Sequence, residues 1–434
     1  MSKEIITQAY NAWSRCADIR NRRQRCKRYT YGDQWGDIVR DNLGKLHVES
    51  ELIRTSGNRP VINNLIRQLV KTIIGRFRAE QTENGAYTAT GLRAVAESNA
   101  LPEIDSRMFE EFLISGCAVQ RIAADGACGR SGLCVHNVDF RKFFVNAFSD
   151  PRGWDINLIG QLHDMTFPEL ASRFARGSRA RAEVLRELYA GKAAPDEVGN
   201  TIGGAGADVD FFTPHAAGQC RVAEVWTLDA TGRRKGDSLN YSFRWHCRWL
   251  TPDGTLLQEY DSPFAHGSHP YAVKFYPLTD GEVHSFVEDI LDQQKGINRM
   301  LVLIDRMIAS SAKGVLLFPC DQLVEGMTWT DVCRRWAQAD GVIPVTGRGE
   351  HLPQQVMNNP GDTGAYQYLQ LQMKLFDNIS GVSESLTGHA SASARGAELY
   401  ESQVRNATIA LGDIFETFGA FLAGRNAKIL ATKA

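Results

Sequence analysis

The sequence predicts an α+β protein, with a mixed first part of helices and antiparallel strands followed by long helices that bracket a small α/β unit. Three observations carry this prediction. Apolar residues repeat with helical period in several runs up to residue 116, with a period of two over much of 118–278, and with helical period again from 284 onward. The run that opens at Ser285 is unusually long. Residues 314–359, enclosed between that run and the next helical one, hold short strand and helix patterns of their own. The chain has 434 residues, 43% hydrophobic and 23% charged, which suits a globular protein with ample core and more than one domain.

The long run comes first because the rest is arranged around it. Ser285 with Glu288 is a capping-box pair at a helix start. Ile290, Ile297, Leu301, Ile304 and Ile308 fall on one face, while Glu288, Asp292, Lys295, Arg299 and Arg306 form a polar stripe. Acids lie early and bases late, which complements the helix dipole. Lys313-Gly314 is a natural stop. About 28 residues at 1.5 Å each make a rod of roughly 40 Å.

In chain order, residues 3–28 read as one amphipathic helix whose end is strongly basic, with Arg20, Arg22, Arg23, Arg25, Lys27 and Arg28. Such a cluster can touch nucleic acid, but more often it is a solvated or subunit-facing helix end. Asn63 or Asn64 caps a helix carrying Leu65, Leu69, Ile73 and Ile74. Another helix spans about 103–116 and ends at Ser115-Gly116. Strands are expected at Ala118–Ala123, Leu133–Asn137 and Lys142–Asn146, then helices at Phe167–Gly177 and Arg179–Tyr189. Residues 190–218 read as a Gly-rich surface loop that lacks a phosphate-loop ending. Further strands at Arg221–Leu228, Asn240–Leu250, Leu256–Tyr260 and Tyr271–Tyr276 are separated by turns at Asp229–Gly232 and Pro252–Gly254. Trp226, Trp245 and Trp249 supply bulk for the sheet core.

Within 314–359, strands are expected at Val315–Phe318 and Val342–Val345, with a helix at Trp329–Ala339 between them. The unit is too small to fold alone, so it needs copies of itself or a partner. A second long helix carries Tyr366, Leu369, Met373, Phe376 and Ile379. A loop of small residues follows, and the last helix presents Tyr400, Val404, Ala407, Leu411, Ile414, Phe418 and Phe421 on one seam.

Several function classes are disfavoured. Net charge is −1, without the basic excess of a tight nucleic-acid binder. The nine cysteines form no CxxC pair, so reduced thiols in a cytosolic setting are expected, with no metal site and no cofactor. The first residues do not read as a signal sequence, and no apolar run is long enough to span a membrane. No G-x-S-x-G, H-E-x-x-H or Walker pattern is present, and adjacent acids such as Glu110 and Glu111 diverge around their helix. An enzyme is therefore not expected, and no catalytic residue is assigned.

The order helix, small α/β insertion, helix, Gly/Ser loop, helix resembles the stem, clip, stem, tunnel-loop and wing order of tailed-bacteriophage portal (head-tail connector) proteins, the podovirus-type branch especially. Four strings are similar to that family: Tyr31-Gly-Asp-Gln-Trp35, Asn58-Arg-Pro-Val-Ile-Asn63, Glu288–Gln294 with Ile297-Asn298, and Ile379–Ser383 with Leu386-Thr-Gly388. Two features depart from it. The C-terminal crown of many relatives is expected to be minimal or absent, and the Gly-rich stretch 190–218 has no counterpart.

The resemblance implies a wing domain over 1–283, stem helices at 284–313 and 360–381, a clip at 314–359, a tunnel loop at 382–396, and a C-terminal wing or crown-proximal helix at 397–434. It also implies a homo-oligomeric ring, about twelve-fold, at one capsid vertex of the virion, assembled in the host cytoplasm. Double-stranded DNA would pass through the channel during packaging and ejection. Terminase large subunit, a head-tail adaptor and the major capsid or scaffolding protein would dock on it, and no membrane is involved. Residue by residue, it places Leu386, Thr387, Gly388, His389, Ser391, Ser393 and Arg395 in the tunnel loop. Glu288, Asp292, Lys295 and Arg299 fall on the stem near the channel, and Trp329, Arg334, Arg335 and Trp336 on the partner-binding clip. Two other readings stay open here. One is another head-tail structural or adaptor protein; the other is a nucleic-acid-processing enzyme, which ATP hydrolysis by the pure protein would favour.

Overall fold

The computed structural model describes residues 2–41, 43–89, 91–123, 132–190, 209–214, 216, 218–235, 238–311, 315–337, 343–346, 353–356, 362–382, 409 and 411–433. Its helices in chain order are α1 (Ser2–Arg15), α2 (Ala17–Tyr31), α3 (Glu49–Thr55), α4 (Leu65–Glu83), α5 (Arg93–Asn99), α6 (Leu101–Ser115), α7 (Phe167–Phe174), α8 (Arg179–Tyr189), α9 (Phe286–Ser311), α10 (Trp329–Ala337), α11 (Asp362–Ser380) and α12 (Gly412–Lys433). Its strands are β1 (Ile38–Arg40), β2 (Leu46–Val48), β3 (Cys117–Ala123), β4 (Cys134–Asn137), β5 (Phe143–Val145), β6 (Leu158–Thr166), β7 (Gln219–Lys235), β8 (Ser238–Leu250), β9 (Leu256–Asp261), β10 (Tyr271–Phe275), β11 (Pro277–Thr279), β12 (Glu282–Val283), β13 (Val315–Leu317) and β14 (Gln354–Val356). Among the described residues all strand pairs are antiparallel, so the architecture is α+β. The chain divides into two compact units, residues 1–33, 64–291 and 377–434 in the first and residues 34–63 and 292–376 in the second.

The first unit is built on a five-stranded sheet of order β5-β6-β7-β8-β9 and a three-stranded sheet of order β10-β3-β4. One apolar cluster joins Trp226, Trp249 and Phe143 from the large sheet with Val119, Tyr271 and Phe275 from the small one. The period-two reading holds for most of this region, with two corrections: it gave no strand at Leu158–Thr166, where β6 lies between β5 and β7, and it placed a turn inside β7. β7 does not turn at Asp229–Gly232 but runs on to Lys235, pairing Asp229 with Arg244 and Lys235 with Ser238. The Asp-Ala-Thr-Gly string suits a turn only if the chain beyond it has no strand to pair with, and here residues 238–244 supply one. Gly160 in β6 marks a close approach: a Cβ there would lie 2.1 Å from the Glu224 carbonyl oxygen and 2.5 Å from the Phe144 ring.

Helices close the unit. The helix expected over 3–28 is two, broken at Cys16, because its two halves bury different faces. α1 packs apolar Ile5, Ile6, Ala9 and Ala12 inward, whereas α2 buries Arg20, Arg23, Cys26, Tyr29 and Thr30. Asn64 caps α4 by accepting the Arg67 amide at 3.0 Å. Gly116 ends α6 at φ +71, where a Cβ would sit 2.8 Å from the His284 carbonyl oxygen. From the expected C-terminal seam, Leu411, Ile414, Phe418 and Phe421 are buried. Tyr400, Val404 and Ala407 lie outside the described residues. Phe418 meets Phe77, Phe109 and Phe112 at centroid distances of 4.8–5.5 Å.

In the second unit, β13 pairs with β14 rather than with a strand at 342–345; residues 343–346 carry no regular structure. Thr346 is instead tied to Gln322, its amide donating to the Gln322 carbonyl at 3.3 Å. α10 opens with a reciprocal cap: the Thr328 amide donates to Asp331 Oδ2 at 3.1 Å, and the Asp331 amide to Thr328 Oγ1 at 3.3 Å.

Candidate functional site

α9 starts where the sequence placed it. The Glu288 amide donates to Ser285 Oγ at 3.1 Å, the first half of the capping box. Its carboxylate instead lies 3.5 Å from Arg22 and 3.7 Å from His284. Burial, and then the Glu288 charge, push the Asp289 carboxyl above the usual range. Ile290, Ile297 and Ile304 of the expected stripe are buried, and Ile308 is half exposed.

In the second unit, three of the family-like strings come together. Gln294 and Asn298 sit one helical turn apart on α9 and are both buried. Gln294 Nε2 donates to the Asn63 carbonyl at 2.7 Å, and Asn298 Oδ1 accepts the Asn63 amide at 3.1 Å. Asn298 Nδ2 donates to Gln34 Oε1 at 2.5 Å, and Trp35 Nε1 to the Val61 carbonyl at 3.0 Å. Buried Gln34, Gln294 and Asn298 thus bind one another and the Asn63 backbone, so one part of each string meets in this unit. Each amide leaves few unmatched groups, which suits a specifying rather than a chemical role.

The adjacent face of the same helix carries two of the four charges expected near a channel. Lys295 Nζ lies 3.2 Å from Asp37 and 3.1 Å from Glu49, and Arg299 lies 2.6 Å from Glu49. Lys295 and Glu49 are largely buried, so these ion pairs fasten residues 37–49 to the helix. Asp292 is exposed. Asp37 and Glu49 escaped the sequence reading because about 250 residues separate them from their bases; no local period reports such a pair.

Across 315–356, Trp329 and Arg334 are exposed. Trp329 meets Phe318 edge-on at 5.9 Å. Arg334 lies 3.3 Å from Asp331, Arg335 is exposed and Trp336 half-buried, while Val332 is the buried anchor. Leu386, Thr387, Gly388, His389, Ser391, Ser393 and Arg395 lie outside the described residues.

The basic end of α2 is spent on internal contacts. Arg20 stacks on Trp13 at 3.8 Å, Arg23 pairs with Glu111, Arg25 lies over Tyr29, and Arg28 lies 3.6 Å from Asp33. It is thus neither a free phosphate-binding patch nor a plain solvated end.

One cluster in the first unit has the residue types of a catalytic site. Glu224 accepts from Arg121 at 3.0 and 3.2 Å, Trp226 at 2.9 Å and Tyr271 at 3.1 Å, and pairs with His163 at 2.8 Å. Burial opposes its charge, but Arg121 and His163 hold the carboxyl well below its usual range. Burial lowers the His163 pKa. Glu224 is fully buried, and two surface clefts of about 720 and 410 Å³ are lined by other residues. The cluster therefore has the form of a satisfied core network. Among the described residues no group of His, Cys, Asp and Glu could hold a metal ion, and no helix is long and apolar enough to cross a membrane.

Buried charges that answer one another, in a cluster that lines neither cleft, have the character of structural rather than chemical groups. The family model described as "Phage P22-like portal protein" matches residues 6–423 of the 434, and the chain belongs to that family. It is a phage portal protein, and its family is structural rather than enzymatic. A comparison with curated proteins finds no match.

Proposed function

We propose that the chain assembles into a closed ring of about twelve copies at one capsid vertex, enclosing a channel through which double-stranded DNA is packaged and later ejected. One observation carries the ring. Tyr366, Tyr368, Leu371, Met373 and Leu375 of α11 are all exposed, and they point around more than one side of the helix. A helix apolar on several sides is stable only when it is buried. Identical neighbours on either side supply that burial, and one adaptor molecule would not.

In this reading, 284–313 and 360–381 form the stem, 314–359 the clip and 1–283 the main body of the wing. The small residues of 382–396 let that loop lie close to DNA without gripping it. Asp292 would repel phosphate and favour sliding, and Glu288 would do so less because Arg22 offsets its charge. Lys295 and Arg299 hold 37–49 in place, and their charge toward the channel is reduced by Asp37 and Glu49. Trp329, Arg334 and Arg335 are side chains suited to an interface, and they would receive terminase large subunit and then a head-tail adaptor. Capsid or scaffolding protein would meet the wing. The test is mass photometry with negative-stain imaging of the purified protein over a concentration series. Rings of about a dozen subunits with an open centre wide enough for duplex DNA are expected. A closed disc without an opening would favour an adaptor, and a monomer at every concentration would overturn the ring.

A further inference from the structure

The hairpin β1–β2 exposes apolar side chains on a rigid frame. Its register pairs Ile38 with Val48 and Arg40 with Leu46, which puts these four side chains on one face. Ile38 is 69% exposed, Leu46 61%, and Arg40 is exposed beside Leu46; Leu43 at the tip is 90% exposed. Asp41 Oδ1 accepts the Leu43 and Lys45 amides at 2.9 and 2.8 Å, and Asp41 Oδ2 lies 3.1 Å from His47. At the base, the Glu49 amide donates to the Asp37 carbonyl at 2.9 Å, and Lys295 holds both carboxylates. A free two-stranded hairpin is marginal in water. This one is fixed at its tip and at its base, so little entropy is lost when its face is covered.

A complementary face lies on α9 in the same unit. Leu301, Asp305 and Ile308 fall at i, i+4 and i+7, on one stripe of the helix. Asp305 is exposed, Ile308 is 51% exposed, and Leu301 is partly exposed. This stripe begins about 9 Å further along the helix than Lys295, at 1.5 Å per residue. The hairpin of the same chain leaves it uncovered. The hairpin face offers two exposed apolar side chains and one base beside the partly buried Val48; the helix stripe offers two apolar side chains and one acid.

We propose that the hairpin face formed by Ile38, Arg40 and Leu46 docks on the Leu301–Asp305–Ile308 stripe of a second copy of this chain, with Arg40 opposite Asp305. The contact joins two different patches of identical chains. It is therefore heterologous, the kind of contact whose repetition makes a ring when the rotation between copies closes. The inference rests on the ring reading and adds to it a named pair of surfaces and a charge that fixes their register.

The test is a charge swap on the full chain, read by mass photometry across concentration. Arg40→Glu alone and Asp305→Arg alone should each raise the concentration for half-assembly about tenfold, because like charges then face each other. The double variant should recover most of that loss. Circular dichroism should show each single variant folded; if Arg40→Glu fails to fold, Asp305→Arg on the exposed helix face decides alone. Wild-type rings with unaffected single variants, or a double variant no better than the worse single, would overturn this contact and leave the ring standing. A wild-type chain that never assembles would sink both.

Discussion

In the unit formed by 1–33, 64–291 and 377–434, many large side chains, Trp226, Trp249, Tyr271, Phe109 and Phe143 among them, are fully enclosed, although Trp154 is exposed. In the unit formed by 34–63 and 292–376, the buried apolar side chains among the described residues are Trp35, Ile297, Ile304, Val332 and Phe376, while Leu43, Tyr368 and Leu371 face outward. The first unit is held by an extensive apolar core. The second is held by a polar core around Asn63, Gln294 and Asn298 and by ion pairs around Glu49, and it keeps its apolar surface outside. On the ring reading, the difference separates residues that specify the fold from residues that would specify assembly.

The sharpest way to break this comparison is to damage the first unit's core. Arg425 and Asp105 are both fully buried and joined by two bonds of 2.8 Å; Arg425 also donates to Gln120 at 3.2 Å, and Tyr87 to Asp105 at 3.0 Å. Arg425→Leu leaves the Asp105 carboxylate without its cation and should lower unfolding stability by about 3–5 kcal/mol. Urea titration would show it. A loss under about 1 kcal/mol would mean that α12 is not a structural part of that core.

A smaller effect should appear with pH. Lys428 Nζ donates to the His269 carbonyl at 3.0 Å and the Tyr271 carbonyl at 2.6 Å, and burial pushes its pKa from 10.5 down to about 7. Above about pH 7 the folded chain holds a neutral amine, while the unfolded chain stays protonated until its ordinary value. The unfolded state then binds more protons, so this group makes stability rise from about pH 7 toward 10.5. Below that window both states are protonated and the group contributes no slope. The rise approaches about 1.4 kcal/mol per pH unit, and Lys428→Met should remove it. Comparing urea midpoints of the two proteins between pH 6.5 and 9 checks the sign; equal slopes would refute it.

These two sites also show how far the sequence could be read. What is local was legible: the Ser285 cap, the Asn64 cap, the Gly116 stop and the long periodic run of α9 all follow from residues within a few positions of one another. The break at Cys16 was not, because α2 buries Arg23, whose partner Glu111 lies far along the chain. The partner of β13 was missed for a related reason. A strand as short as Gln354–Val356 carries too little alternation to compete with Val342–Val345. At the candidate site the strings around Gln34, Asn63 and Asn298 were legible one by one, but not that they meet. Lys295 and Arg299 looked free on a helix stripe until Asp37 and Glu49 arrived from another part of the chain.

The smallest effect on stability should come with the largest effect on assembly, and it sharpens the comparison from the other side. Leu371 lies on α11 and is half exposed, so Leu371→Asp removes little that the single chain buries. The unfolding free energy should change by no more than about 0.5 kcal/mol, as for other exposed positions. In a ring the same side chain would be covered by a neighbour, and a carboxylate forced into an apolar contact has no compensating partner. Mass photometry should then show rings lost at concentrations where the wild type assembles, with the urea midpoint of the monomer unchanged. If stability falls as well, α11 already contributes to the fold of the single chain and the division of labour between the units fails. If neither quantity moves, α11 is not an assembly surface, and the exposed residues of the β1–β2 hairpin would have to supply the contact alone.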